Sequence, residues 1–158
     1  MNLAIAQRLQ HYLHDQQEPM VDLLSRLALM ESPSLDPAAQ QPVFDLLAER
    51  LAALDFHVQR VPGRSTGGVL YARPRGRARG VPAQLLIGHC DTVWPHGTLA
   101  TMPLARDGQR LAGPGVFDMK GGLVIGLYAL QALASLGLQP ALSPVVLINS
   151  DEEIGSPE

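Results

Sequence analysis

The chain has 158 residues, which is the size of about one domain. A hydrophobic fraction of 46% is sufficient for a buried core, so the sequence indicates a globular protein and excludes a disordered one. The net charge of −3 argues against nucleic acid as the main partner. The single cysteine, Cys90, excludes an internal disulfide framework and is typical of a reducing compartment.

The N-terminal stretch MNLAIAQRLQHYLHD lacks the basic segment, long apolar run and small-residue cleavage site of a secretory signal. No stretch of the sequence approaches the about 18 consecutive apolar residues of a membrane span. We therefore expect a cytoplasmic protein that has no membrane partner.

Apolar residues at helical spacing predict three helices at the start of the chain. The first ends before Pro19, which is suited to begin the second. The third begins at Pro37, with Asp36 as its N-cap, and ends near Leu54.

Extended segments follow over 57–61 and 68–73. The segment 84–89 is apolar enough to predict a strand that is buried on both faces. Asp107-Gly108 lies between two short extended segments and predicts a hairpin.

A helix is predicted over 119–137 and an apolar, β-branched strand over 144–150. Together with strand 84–89 they form a strand–helix–strand unit, which is typical of an α/β fold. A crossover of this kind places its two strands in parallel and close together. Their carboxyl ends then open on one edge of the sheet, where α/β proteins bind ligands.

Polar residues lie at the predicted carboxyl edge. His89 and Asp91 directly follow the first strand of the unit, Asp118 precedes its helix, and the acidic run 151–153 directly follows its second strand. We expect these residues to meet at one rim, although they are far apart in the sequence.

The alternation of side chains places His89 and Asp91 on one side of an extended segment and Cys90 on the other. In that arrangement one imidazole nitrogen binds a metal, and the Asp91 carboxylate orients the ring through the other nitrogen. A nucleophilic Cys90 beside the histidine is an alternative, but alternation points the two side chains apart.

The carboxylates have simpler interpretations as well. Asp118 is suited to be the N-cap of the following helix, although the glycines of GPGVFDMKGG favour close approach to a ligand instead. Glu152 and Glu153 are either a solvated strand end or a cluster made favourable by a cation. Ordinary roles are predicted for Ser34, in a turn, and for Lys120, on the surface at a helix start.

The stretches GHCDTVWPHGTLATMPL, GPGVFDMKGG and NSDEEIGS resemble the zinc-dependent exopeptidase family that includes glutamate carboxypeptidase, acetylornithine deacetylase, succinyl-diaminopimelate desuccinylase and aminoacylase. The motifs DTVWP and DEEIGS make the chain most like the glutamate carboxypeptidases. The resemblance implies a three-layer α/β/α domain with a mixed, largely parallel sheet. It also implies a cis peptide bond between Asp118 and Met119.

The resemblance further implies a pair of zinc ions, with Co²⁺ or Mn²⁺ as alternatives. His89 would bind one ion, Glu153 the other, and Asp118 would bridge both. Asp91 would orient His89, and Glu152 would be the general base.

By the same resemblance, residues 1–158 are the N-terminal part of the catalytic domain. The rest of that domain would supply a further acidic ligand and a histidine, and a separate lid domain would carry dimer contacts. Catalytic zinc normally has three protein ligands and a water. We therefore expect this chain alone to bind zinc weakly and to hydrolyse little, and the complete protein to be a homodimer.

The function implied is hydrolysis of a peptide bond by a carboxypeptidase that releases a C-terminal amino acid such as glutamate. An N-acyl amino acid deacylase shares every motif and stays open as an alternative. A non-catalytic scaffold that keeps the fold is a third possibility, but a scaffold has no need of five intact site residues.

Overall fold

The computed structural model describes residues 3–158. Within them the helices are α1 (Leu3–Asp15), α2 (Gln17–Ala28), α3 (Pro37–Ala53), α4 (Thr98–Thr101) and α5 (Gly121–Ser135). The strands are β1 (Phe56–Val61), β2 (Val69–Pro74), β3 (Ala83–His89), β4 (Ala105–Asp107), β5 (Arg110–Ala112) and β6 (Ser143–Asn149).

Four strands form one sheet in the order β1-β2-β6-β3. Strand β3 pairs with β6 in parallel, whereas β1 pairs with β2, and β2 with β6, in antiparallel fashion. The fold is therefore α/β, but the expectation of a largely parallel sheet is not met by the described strands. The short connection between β1 and β2 permits only an antiparallel pair, and α5 supplies the long crossover that a parallel pair requires.

The core lies on one face of this sheet. Buried side chains of α2, α3 and α5 form a single cluster with Leu70 of β2 and with Val146 and Ile148 of β6. On the other face Leu85 and Ile87 of β3 are 51% and 67% exposed. The prediction that 84–89 is buried on both faces is thus wrong for the described residues, which form two layers and not three.

The start of α3 is as predicted. The Asp36 carboxylate accepts a hydrogen bond from the backbone N–H of Ala39 at 2.9 Å, as an N-cap does. The Asp107-Gly108 hairpin is also confirmed, because Asp107 pairs with Arg110 at the closed end of β4 and β5. Gly108 takes the positive φ of 55° that such a turn favours.

The start of α5 differs from the prediction. The segment Val116–Lys120 forms a π-type turn before the helix, and Asp118 and Met119 have non-helical backbone angles inside it. The regular helix begins only at Gly121, after Lys120. Asp118 is therefore not the N-cap. The peptide bond between Asp118 and Met119 is cis, as the resemblance implies.

One helical stretch, Val116–Ser135, is long and apolar enough to cross a membrane by length and composition. That feature was not expected from the sequence. Leu123, Leu127 and Leu130 of this stretch belong to the buried cluster under the sheet. Since the core helix of a soluble protein passes the same test, we assign the stretch to the core.

Candidate metal centre

The parallel pairing of β3 and β6 builds one rim. The two strands run in register from Ala83 opposite Ser143 to His89 opposite Asn149, so both end at the same level. The N–H of Cys90 then donates to the carbonyl of Asn149 at 2.9 Å and extends the pairing by one residue. The polar residues that follow each strand consequently emerge side by side.

His89 and Asp91 form the buried part of the rim. The histidine is 4% exposed and the aspartate is fully buried. Nδ1 of His89 lies 3.2 Å from Oδ1 of Asp91 and 3.1 Å from its backbone carbonyl oxygen. This geometry fixes the orientation of the ring and directs Nε2 away from Asp91. It is the arrangement in which a carboxylate orients a metal-binding imidazole.

The Asp91 carboxylate has further partners. It accepts hydrogen bonds from the Ser34 hydroxyl at 2.7 Å and from the backbone N–H groups of Glu152 and Glu153 at 3.2 and 3.1 Å. A buried carboxylate needs such partners, because an unpaired buried charge is strongly unfavourable. These bonds also attach the segment after β6 directly to the segment after β3.

Three side chains converge in front of His89 Nε2. Asp118 Oδ1 lies 3.1 Å from this nitrogen, and one ligand atom each of His89, Asp118 and Glu153 lies within 4.8 Å of the others. Glu152 also approaches, with Oε2 at 3.8 Å from the same nitrogen. The structure therefore brings together five of the six residues that the sequence placed at this rim. The sixth, Asp151, directs its carboxylate to the backbone N–H of Glu158 at 3.0 Å.

The charges at the rim act on the histidine. Burial alone would lower the pKa of His89, but the hydrogen bonds with Asp91 and Asp118 outweigh it and raise the pKa to about 9. Burial would raise the pKa of Asp91, yet its bonds to His89, Ser34 and the Glu153 N–H hold that pKa below its usual range. Without a metal, the pair is therefore an imidazolium beside a carboxylate.

Glu153 shows the opposite effect. Burial, together with the negative charges of Asp118, Asp91 and Glu152, raises the pKa of its carboxyl group, against the attraction of His89. A cation at the rim would relieve this repulsion. An imidazole nitrogen and carboxylate oxygens are donors that zinc accepts. The residues present thus fit a metal ion in chemistry and in spacing, while their roles as ligands stay predictions.

Cys90 is not part of the rim. Its side chain is completely buried on the core side of the segment, opposite His89 and Asp91. Burial raises the pKa of the thiol, which disfavours the reactive thiolate. The alternative of a nucleophilic cysteine is therefore not supported.

The surroundings include residues that the sequence did not reveal as important. Lys120 is 1% exposed and not a surface residue, and its Nζ donates to the carbonyl of Met30 at 2.7 Å. Ser34 contacts Asp91, and Gln40 of α3 is completely buried beside the same loop. No spacing rule predicts the contacts of Lys120 and Ser34, since each joins segments that are distant in sequence. A polar residue on the inward side of a predicted helix, such as Gln40, was the one available signal.

The sequence matches a known family at this rim. A profile of Peptidase family M20/M25/M40 matches residues 85–158, the part of the chain that runs from β3 through the acidic segment after β6. The part of the chain from β3 onward is therefore similar to the M20 peptidases. Members of this family typically depend on a dinuclear metal site.

The curated relatives of this chain are larger proteins. The chain is 33% identical over 144 residues to carboxypeptidase G2 of Pseudomonas sp. (strain RS-16), covering 90% of this chain and 34% of that protein. It is 38% identical over 137 residues to succinyl-diaminopimelate desuccinylase of Rhodopseudomonas palustris (strain BisA53), covering 79% and 34%. The chain therefore spans about a third of the length of these relatives.

A solved structure shares the fold of this chain. Human carnosine dipeptidase 1 matches with a TM-score of 0.78 at 22% identity, covering 99% of this chain and 36% of that one. At this identity the likeness concerns the fold alone. It shows that the four-stranded mixed sheet and its helices form part of a larger α/β architecture that is already known.

Proposed function

We propose that the protein is a metal-dependent carboxypeptidase, which hydrolyses a peptide bond and releases a C-terminal amino acid such as glutamate. One observation carries the proposal: ligand atoms of His89, Asp118 and Glu153 converge within 4.8 Å at the carboxyl ends of two parallel strands. The match to Peptidase family M20/M25/M40 supports hydrolysis of a peptide substrate. The similarity to carboxypeptidase G2 supports the choice of a carboxypeptidase.

Two zinc ions fit this proposal, with Co²⁺ or Mn²⁺ as substitutes. His89 would hold one ion and Glu153 the other, and Asp118 would contribute to both. Bound zinc supplies Lewis-acid polarisation of an amide carbonyl and makes water more acidic. Further ligands come from parts of the protein outside residues 1–158, which we assign to the N-terminal part of the catalytic domain. A lid domain that also forms the homodimer contacts completes the protein.

The residues of this chain have separate tasks. Asp91 keeps His89 in one orientation through the contact at Nδ1, at 3.2 Å. Glu152 is the general base: it takes a proton from the attacking water and passes it to the leaving amine nitrogen. Its side chain is 56% exposed, so it can reach a substrate, while its backbone N–H is held by Asp91.

An N-acyl amino acid deacylase is the second candidate. It is favoured by the 38% identity to a succinyl-diaminopimelate desuccinylase. Both reactions break an amide bond and use the same rim, so the groups that recognise the two ends of the substrate decide between them.

The test is hydrolysis by the zinc-loaded gene product that carries these 158 residues. Peptides ending in glutamate are compared with N-acetyl and N-succinyl amino acids, and release of the free amine is measured. We expect Glu152→Gln to reduce kcat by about 10²–10⁴-fold, the usual contribution of a general base, with zinc still bound. Glu49→Gln, at an exposed position on α3, is the matched control. Wild-type turnover by Glu152→Gln would contradict the proposal, and preference for acyl substrates would favour the deacylase.

A further inference from the structure

The carboxylate that orients His89 is hydrogen-bonded at its second oxygen as well. Asp91 uses Oδ1 toward His89, at 3.2 Å, and Oδ2 toward the Ser34 hydroxyl, at 2.7 Å. Ser34 lies in the loop between α2 and α3, 57 residues away in sequence, and is 6% exposed. A carboxylate that is bound at both oxygens has little freedom to rotate. Ser34 therefore sets the plane in which Asp91 faces the histidine.

The loop that carries Ser34 is fixed by one buried amide. Gln40 on α3 is fully buried, and its Nε2 lies 2.9 Å from the carbonyl of Pro33 and 3.0 Å from that of Ser34. The same nitrogen lies 2.7 Å from the carbonyl of Ser150. Its Oε1 accepts from the N–H of Gly67. The polar atoms of one side chain thus join three separate backbone segments.

Two of these segments lead straight into the rim. Ser150 directly precedes the acidic run that contains Glu152 and Glu153, and Pro33 pairs with Thr92, beyond Asp91. Gln40 therefore fixes the distance between the strand end that carries the glutamates and the loop that holds Asp91.

The third segment requires a glycine. A Cβ at Gly67 would lie 2.8 Å from Oε1 of Gln40 and 2.9 Å from the ring of Phe44. The backbone can approach the amide only because that side chain is absent. Ser150 also donates its hydroxyl to the carbonyl of Gly68 at 2.9 Å, so the same loop is held twice.

We propose that Gln40 and Ser34 are positioning residues of the metal centre. Gln40 places the loop of Ser34 and the end of β6, Ser34 places the Asp91 carboxylate, and Asp91 places His89. The inference rests on the proposed function, because it assumes that His89 binds a metal. Packing alone does not explain Gln40, since an apolar side chain would fill its volume without orienting four backbone groups at one rim.

The first test compares two buried hydroxyls of one loop. Ser34→Ala removes the bond to Asp91, whereas Ser32→Ala removes a bond of equal length, 2.7 Å, to the carbonyl of Cys90. Zinc affinity is measured by calorimetric titration, and folding by urea denaturation. We expect Ser34→Ala to weaken zinc binding by about 10–100-fold, the range found for partners of metal-binding histidines, and Ser32→Ala by less than about threefold. Ser34→Thr, which keeps the hydroxyl, should restore most of the affinity.

A double-mutant cycle then asks whether Ser34 acts through Asp91. The quantity compared is the logarithm of the fold-change in zinc affinity that Ser34→Ala causes. In an Asp91→Asn background this logarithm should be less than about half of its value in the wild-type background. In the metal-free protein, amide exchange at Glu152 and Glu153 should become faster in Ser34→Ala and not in Ser32→Ala, because both N–H groups donate to Asp91. A purely structural serine would not produce either result.

Gln40→Leu extends the test to the amide, with Gln41→Leu at an exposed position of the same helix as control. We expect weaker zinc binding for Gln40→Leu and unchanged binding for Gln41→Leu. If Gln40→Leu does not fold, the comparison of the Ser34 and Ser32 variants tests the inference on its own. Equal zinc affinity of folded Ser34→Ala and Ser32→Ala would overturn the inference, whereas a wild-type protein that binds no zinc would overturn the proposed function itself.

Discussion

The two halves of the rim are built in different ways. His89 and Asp91 are 4% and 0% exposed and have hydrogen-bond partners on several sides. The side chains of Asp118 and Glu152 are 70% and 56% exposed and contact the rim mainly through His89. The buried half is therefore set when the chain folds. The exposed half is free to adjust to whatever binds there.

The difference follows from the cost of burying charge. A carboxylate inside the protein must be paired and hydrogen-bonded, so Asp91 recruits Ser34 and two backbone N–H groups. An exposed carboxylate keeps its hydration and needs no such partners. Substitutions in the first half should consequently reduce the stability of the fold, and substitutions in the second half should reduce metal binding alone.

The largest effect is expected for Asp91→Ala. The substitution leaves the Ser34 hydroxyl, two N–H groups and the His89 imidazolium without their shared acceptor. We expect the free energy of unfolding to fall by about 3–5 kcal/mol, the loss typical of a broken buried ion pair. Urea denaturation of the metal-free protein measures it. Asp118→Ala is the control and should change stability by less than about 0.5 kcal/mol. Equal losses in the two variants would remove the contrast between the halves.

The second largest effect is expected on zinc affinity and not on the stability of the fold. Asp118→Asn should weaken zinc binding by more than the about 10–100-fold caused by loss of a supporting partner, because in the proposed function Asp118 is itself a ligand. Calorimetric titration measures the change, and Asp107→Asn on the exposed hairpin is the matched control. Stability of the metal-free protein should change little, since loss of the charge contact with His89 is offset by relief of the repulsion on Glu153. A stability loss as large as that of Asp91→Ala would argue against this division of roles.

The third prediction is a pH dependence of the buried half. The pKa of His89 is raised from 6.5 to about 9 in the metal-free fold. A raised pKa contributes stability that is complete below about pH 6.5 and is lost as pH rises through about 9. Zinc requires the neutral imidazole, so its affinity should increase over the same interval. Urea denaturation and zinc titration at several pH values test both trends.

His89→Gln is the control for this dependence, because its side chain does not titrate. Its stability should vary less with pH between 6.5 and 9 than that of the parent. Parallel curves for the two proteins would show that His89 does not carry the effect.

Much of this site could be predicted, because most of its residues directly follow strands that are recognisable in the sequence. The apolar runs that form β3 and β6 are easily recognised, and polar residues follow each of them directly. Parallel pairing then brings His89 and Glu153 together without knowledge of any other contact. The wrong prediction that Ile87 is buried has a related cause. An apolar pattern shows which faces favour burial, but not whether the described residues cover them.

The supporting contacts could not be predicted in this way. Gln40 reaches Ser150 across 110 positions, and Ser34 reaches Asp91 across 57. Such pairs have no periodic signal, because each depends on how two loops pack. The local backbone at Asp118 was also missed, since the apolar pattern continues through the turn before α5 and conceals where the regular helix begins.

The smallest expected effect lies outside the rim, at Glu158. The Glu158 carboxylate accepts hydrogen bonds from the N–H groups of Arg64 and Ser65 and from the hydroxyls of Ser65 and Thr66, and the Glu158 N–H donates to Asp151. Bonds from Ser65 first, and then from Arg64 and Thr66, lower the pKa of this carboxyl to about 2.

The link should therefore persist above about pH 4.5 and weaken as pH falls toward 2. Glu158→Gln should speed amide exchange at Arg64 and Ser65 while leaving overall stability and zinc affinity nearly unchanged. Hydrogen exchange followed by NMR measures it, with Glu49→Gln as control. Because these bonds are largely exposed to water, a large loss of stability would show that this link contributes to the fold as the buried half of the rim does.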